Sequence, residues 1–402
     1  MIATSLLFIF VVASSAVAEC NETTTTISLP ADATSLSSCR HFHGSVQIVD
    51  NSQPVDANDS PRLDILDLET IGGDLILENA RLLRALTGDK LKRINGTLRL
   101  HNTTRLEILK FPQLANIGSI EWLTLEFIKL TFSNSNKSIG KYGHIFINDT
   151  HYLGLEVLDK FDSASISDLV VTHNKGLSSL SLLPNNVTEG IIIADNDHIS
   201  VALPNTVHAG KVTVGDVLGI EVPSLRTVAG PTLFNRNHFA SVDAPAMATV
   251  SGEMTFTDND QLRNISFPAL TFVGGQFTIK NNTKLQLIQC PNLTSIDGDV
   301  NIRGSFTKVD FPKLDSVKGS FTLSSTNDIS DSCDRLKHLA PVSQCGSGKI
   351  EGTFTCLSGN QLSSPDYCAQ ANDTRNSGGR VNNVEPAVGR LAFLAFLIRL
   401  LL

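Results

Sequence analysis

Large aromatic and sulfur-containing side chains are scarce in this chain: one Trp, three Tyr and three Met stand among 402 residues. Sugars stack on exposed aromatic rings, so an aromatic-lined sugar cleft has little to be built from. Basic clusters are missing too. Lys and Arg number 32 against 40 Asp and Glu, a net charge of −8 with no basic stripe, which argues against a nucleic-acid partner. No apolar run reaches the roughly 20 residues that a membrane-spanning helix needs. No Ser/His/Asp arrangement is evident, nor the Asn-Thr-Asp or Gly-His-Gly signature of a pectin-cleaving enzyme. The "GSGK" at Gly346 lacks the spacing and the Ser/Thr of a phosphate loop. Cysteine is nearly absent from the body: of seven, Cys20 and Cys39 stand at the start, Cys333, Cys345, Cys356 and Cys368 near the end, and Cys290 alone between.

What is present at the ends points outside the cell. Residues 1–18 hold a short apolar run, Leu6 to Ala13, followed by small-x-small at Ala16-Val17-Ala18, the pattern of a secretory signal peptide. Bulky Glu19 before Cys20 excludes a bacterial lipoprotein reading. At the other end, small residues at Asn376-Ser377-Gly378 precede a polar spacer and a 12-residue apolar tail, Leu391 to Leu402. That order is the signal for a glycosylphosphatidylinositol (GPI) anchor, with Asn376 or Ser377 as attachment residue. The alternative is a plain amphipathic terminus, which Arg399 favours. Eleven Asn-x-Ser/Thr sequons accompany these signals, at Asn21, Asn58, Asn95, Asn102, Asn136, Asn148, Asn186, Asn264, Asn281, Asn292 and Asn372. A glycan needs an exposed Asn, so each should lie on a solvated surface. Seven Cys in a secreted chain imply disulfides with one thiol left over.

The body repeats itself. Pro-x-Leu-x-x-(Val/Ile)-x-Gly recurs from Pro223, Pro268, Pro291 and Pro312, with Met247 for Leu in the copy from Pro245. The closing glycines are Gly230, Gly252, Gly275, Gly298 and Gly319, a period of 21 to 23 residues. Looser copies end at Gly73, Gly96 and Ser119, and Gly44, Gly143, Ser167, Gly190 and Gly210 fill out the series. Such self-similarity means a solenoid. After each Gly, apolar residues alternate, as in Met254/Phe256, Phe277/Ile279 and Val300/Ile302, which is the period of a strand with one buried face. An Asn follows: Asn79, Asn102, Asn174, Asn196, Asn237, Asn259 and Asn282. Asn tolerates left-handed backbone, so it is expected to occupy the turn that ends the strand. Gly is expected to supply unusual backbone angles at the re-entry corner, and Pro to fix the third corner. About six apolar side chains per coil bury too little to offset the ordering of one coil, so stacking is compulsory. Cys290 occupies the slot held by Phe111, Phe267 and Phe311, which makes it a small buried hydrophobe rather than a reactive thiol.

The coils "FPALTFVGGQFTIKNNTKLQLIQCPNLTSIDGDVNI" and "FPKLDSVKGSFTL", the opening "LSSCRHFHGSVQI" and the closing "SCDRLKHL" and "KIEGTFTC" resemble the fungal GPI-anchored cell-wall organisation and sporulation proteins. That family is related to the receptor L-domain. The resemblance implies an all-β fold, a right-handed parallel β-helix of two L-domain-like units, here 19–160 and 161–332. A Cys-rich cap at 333–368, a short linker at 369–376 and an anchor propeptide at 377–402 follow. It implies the pairs Cys20–Cys39 and Cys333–Cys356, and leaves Cys368 as the partner of Cys345. It also implies a non-enzymatic surface role in wall integrity, with the membrane reached through the anchor and wall polysaccharide or wall proteins as partners. No cofactor is expected.

Candidate chemistry is thin. Asp195 and Asp197, and Asp258 and Asp260, flank the turn Asn of their coils. Clustered acids on a β-helix face would suit polysaccharide cleavage or calcium, but solvated turn residues are the plainer reading. His101, His173, His198 and His238 neighbour the same corner, and His41 and His43 share a strand face; neither set has the spacing of a firm metal site. A carbohydrate-binding adhesin using one solenoid face is the second functional reading, and a β-helix hydrolase or lyase the third. The anchor reading has a direct check. Phosphatidylinositol-specific phospholipase C should release the protein from membranes, and mass spectrometry of surface protein that still carries Leu402 would defeat it.

Overall fold

The computed structural model describes residues 20–28, 33–34, 36–50, 62–65, 67–125, 131–133, 143–151, 165–196, 198–359 and 361–363. The signal segment 1–18, the sequons at Asn58, Asn136 and Asn372, Asp197, Cys368, and the linker and anchor segments from 369 on lie outside the described residues.

The chain is a parallel β-solenoid of about 11 turns. One coil shows how the repeat becomes structure. After the proline corner, Phe272–Val273 forms a two-residue strand; past the glycines, Phe277–Lys280 forms a longer one. A polar corner at Asn281 and Asn282 turns the chain into Leu287–Gln289, which lies on another face. Each strand pairs in parallel with its equivalent one coil away: Phe277 with Val300, Val273 with Ile296, Ile288 with Val309. The one-coil offset puts like residues over like. Val228, Val250, Val273, Ile296 and Val317 form one buried column, and Val242, Ile265, Ile288 and Val309 another. Phe234 and Phe256 stack with ring centroids 4.8 Å apart. Cys290 is a free, fully buried thiol, and burial pushes its pKa up.

The two-residue and longer strands belong to one 24-stranded sheet, while the second face is divided among sheets of four, three and four strands. The long sheet runs across the boundary expected at 160/161, since Ile145–Thr150 pairs with Ser165–Thr172. Short and long strands merge into one at Gly96, Ser119, Ser167 and Gly190, with register shifts between the strands of Gly96 and Ser119 and between those of Ser167 and Gly190.

Both ends are tied down. Cys20–Cys39 is a disulfide beside the first strand, Thr24–Ile27, and Cys333–Cys356 joins the helix Ser330–Leu336 to the strand Phe354–Ser358. The helix closes the edge of the second face: the Ser332 hydroxyl accepts from Val309 N (3.2 Å) and donates to Val309 O (3.1 Å). An exposed edge invites pairing with other chains, so this cap protects solubility.

The corner glycines work differently from the sequence expectation. None of Gly73, Gly96, Gly252, Gly275, Gly298 or Gly319 has a positive φ. Their constraint is the neighbouring coil. A Cβ on Gly298 would sit 2.7 Å from Gln276 N and from the Gly275 carbonyl carbon. Glycine NH groups bond glycine carbonyls directly above, as in Gly96 to Gly73 (3.0 Å) and Gly252 to Gly230 (3.2 Å). These corners therefore need glycine for close backbone approach. The prediction is a contrast. Gly298→Val should cost about 3 kcal/mol or more in urea unfolding. Gly219→Ala, where nothing lies within 4 Å of the added carbon, should be neutral or gain about 0.5 kcal/mol.

Candidate functional site

The candidate residues gather at the corner between the long strands and the second face. From the Leu75–Glu78 coil to the Phe277–Lys280 coil, the long strand ends at or beside a residue with left-handed backbone: Asn79, Asn102, Thr124, Asp149, His173, Asp195, Asp216, Arg236, Asp258 and Asn281, with φ between 51° and 58°. These side chains form an outward polar row. Asn79 and Asn102 hold the turn as expected. Asn174, Asn196, Asn237, Asn259 and Asn282 do not. They stand one position later, without positive φ, and are buried at 5 % exposure or less.

These buried asparagines bond along the solenoid axis. The Asn259 Oδ1 accepts from Asn237 N and Nδ2 (both 2.9 Å), and the Asn282 Oδ1 accepts from Asn259 N and Nδ2 (both 2.9 Å). Each Nδ2 also donates to a strand carbonyl of the previous coil: Asn237 to Val214, Asn259 to Phe234, Asn282 to Phe256. A second run joins Thr150, Asn174 and Asn196. Between the runs, Val217 holds the position, and its NH donates to Asn237 Oδ1 at 3.2 Å. A carboxamide suits this place because it accepts from the coil on one side and donates to the other, so turn groups sealed from water keep their partners. The Asn recurs through five coils in the sequence, but its polar neighbour is there an equal candidate for either place.

Several members of the outward row are hydrogen-bonded to one another. The Arg236 guanidinium donates to Asp195 (2.7 Å) and Asp216 (2.9 Å), and the Asp216 and Asp195 carboxylates raise its pKa. Asp258 accepts from the Thr257 hydroxyl (2.7 Å) and Asn281 Nδ2 (2.9 Å), which hold its carboxyl below the usual range. The histidines fall into separate sets. His173 lies 3.8 Å from Asp195, His101 lies 3.6 Å from Glu78, and the His198 and His238 rings lie tilted by 37° with centroids 4.4 Å apart. Among the described residues no three His, Cys, Asp or Glu are placed to hold a metal ion.

One charged cluster was not anticipated. Glu69 accepts from Lys92 (2.8 Å) and Arg40 (2.5 Å), and these bonds hold its pKa at about 2. It lines a shallow polar cleft with His41, Thr70, Arg93 and Asn116. The cleft draws its residues from four successive coils, so no local motif marks it.

None of the eight described sequon asparagines is buried. No family model matches the sequence, and no solved structure matches it. Curated proteins do. Protein ecm33 of Aspergillus fumigatus is 33 % identical over 344 residues, 84 % of this chain and 81 % of that protein. The cell surface GPI-anchored protein ECM33 of Candida albicans is 31 % identical over 341 residues, 84 % of this chain and 78 % of its own length. The chain belongs to the Ecm33 family. Cell wall protein ecm33 of Schizosaccharomyces pombe, 30 % identical over 72 % of this chain and 66 % of that one, agrees. As an Ecm33-family member, the protein belongs outside the cell, at the fungal surface and wall.

The buried asparagines should matter to this fold more than the outward acids. Asn259→Ala orphans Asn237 N and the Phe234 carbonyl and should cost about 3 kcal/mol by chemical denaturation. Asp258→Asn should change stability by less than about 1 kcal/mol.

Proposed function

We propose that this Ecm33-family protein is a non-enzymatic, GPI-anchored scaffold that contributes to the organisation and integrity of the fungal wall. The observation that carries the reading is the outward corner itself. The acids best placed for chemistry, Asp195, Asp216 and Asp258, are engaged by Arg236, Thr257 and Asn281 rather than aimed together at a cleft. General acid–base catalysis needs groups convergent on one reacting bond. The regularity of the chain goes into core columns and axial bonds, which make a rigid body. In this reading the anchor is at Asn376 or Ser377, the sequon asparagines carry glycans, Cys345 pairs with Cys368, and the partners are the membrane and wall polysaccharide or wall proteins.

One observation favours a second reading, polysaccharide binding on a solenoid face. On the outer side of the long sheet, Thr255, Thr278, Asn301, Thr322 and Thr355 pair in a row of hydroxyls and one amide, of which Thr278 is buried and the others half-buried. No sequon falls in that row. Deglycosylated protein screened against wall glucans, chitin and mannan tests it, and assay of new reducing ends in the same mixtures tests for hydrolysis.

The scaffold reading makes its own prediction. Asn in place of Asp195, Asp197, Asp258 and Asp260 together should leave secretion and resistance to wall-binding dyes near wild type. Gly298→Val should abolish both. Loss of dye resistance in the fourfold variant, with its fold intact by circular dichroism, would place an active site on the corner and end the scaffold reading.

A further inference from the structure

The outer row of the long sheet changes character along the solenoid. From Thr255 on it is polar, but in the middle it reads Phe146, Val170 and Ile192, paired in register and half-buried. Asn148 lies on the same outer side of the same strand as Phe146, two residues further along. Its lateral neighbours are Leu123 in the coil before and Thr172 in the coil after. Leu123 is half-buried, its side chain only partly covered. A sequon asparagine thus stands beside Leu123, Phe146 and Val170 on the outer side of the long sheet, where all three are only half-buried.

We propose that the first N-acetylglucosamine of the Asn148 glycan folds back onto this patch, its apolar ring face against Phe146 and its neighbours. The proposal rests on the reading that Asn148 is glycosylated. Three features support it. The distance is right, since i and i+2 on one strand side sit next to each other, and the neighbouring strand is about 4.8 Å away. The chemistry is right, because a pyranose offers CH groups to an aromatic ring and a polar edge to water. An apolar patch left bare on a secreted protein invites association, and a tethered sugar would cover it at little further entropy cost.

The order of events also follows. In the folded protein the Thr150 hydroxyl is buried and donates to Asn174 Oδ1 at 2.7 Å. The sequon Asn148-Asp149-Thr150 is then closed to a transferase, so the sugar must be attached before this coil closes. By contrast, the side-chain amides of the Asn281 and Asn292 sequons donate to Asp258 and to the Pro268 carbonyl at polar corners.

The test uses full-length secreted protein from a fungal host, trimmed with endoglycosidase H to one sugar per site. Glycopeptide mapping first reports occupancy of Asn148. An empty site overturns both the glycosylation reading there and the packing. If the site is occupied, Asn148→Gln should lower the thermal midpoint by about 2 °C and speed amide exchange in residues 145–150. Phe146→Thr supplies the residue type of the later coils, as at Thr255 and Thr322, and keeps the strand. It should produce a similar loss, and the double variant should lose no more than the larger single one. Additive losses, or an unchanged midpoint in Asn148→Gln, overturn the packing while leaving the glycosylation reading standing.

Discussion

Two adjacent coils touch backbone to backbone at the glycine corners, and the rest of the structure is set by that approach. The glycine NH of one coil bonds the glycine carbonyl of the coil before, as from Gly73 to Gly44 at 2.9 Å. With the corner fixed, the strands on either side have one register available. That register puts Val over Val, Phe over Phe and Asn over Asn. A bulky side chain at such a corner would push the coils apart and weaken the neighbouring columns together, because they share one register.

The asparagine columns follow from the same register. A turn that ends a buried strand carries NH and carbonyl groups into the interior, where an unpaired group is costly. Asn237, Asn259 and Asn282 satisfy those groups one coil at a time, and each depends on its neighbour being present. Stability is thereby shared along the axis, as expected of a quasi-one-dimensional protein. The ends are where sharing stops, and there the chain uses Cys20–Cys39, Cys333–Cys356 and the Ser332 contacts to Val309.

The same architecture separates two kinds of polar residue at one corner. Those turned inward hold the fold, and those turned outward face solvent in short hydrogen-bonded groups. Fungal surface relatives share this chain over most of its length. The buried asparagine amides are taken up by the backbone and by one another, which suits the scaffold role proposed above.

Much of this was legible in the sequence. The period of 21 to 23, the strand after each glycine, the core columns, the slot of Cys290 and the need for caps all follow from residue order, because each is a relation within one coil or between identical positions. What the sequence could not decide is which of two neighbouring polar residues at a turn points inward. His173 and Asn174, or Asp258 and Asn259, are equally polar; only contact with the coil above and below makes one a buried relay and the other a surface group. The glycines show the same limit. Their need is for space against a backbone some 22 residues away, not for an unusual φ, and that space exists only once the coils are stacked. The meeting of Glu69 with Arg40 and Lys92 belongs to this class as well: residues one coil apart in sequence become neighbours only through the register that the glycine corners impose.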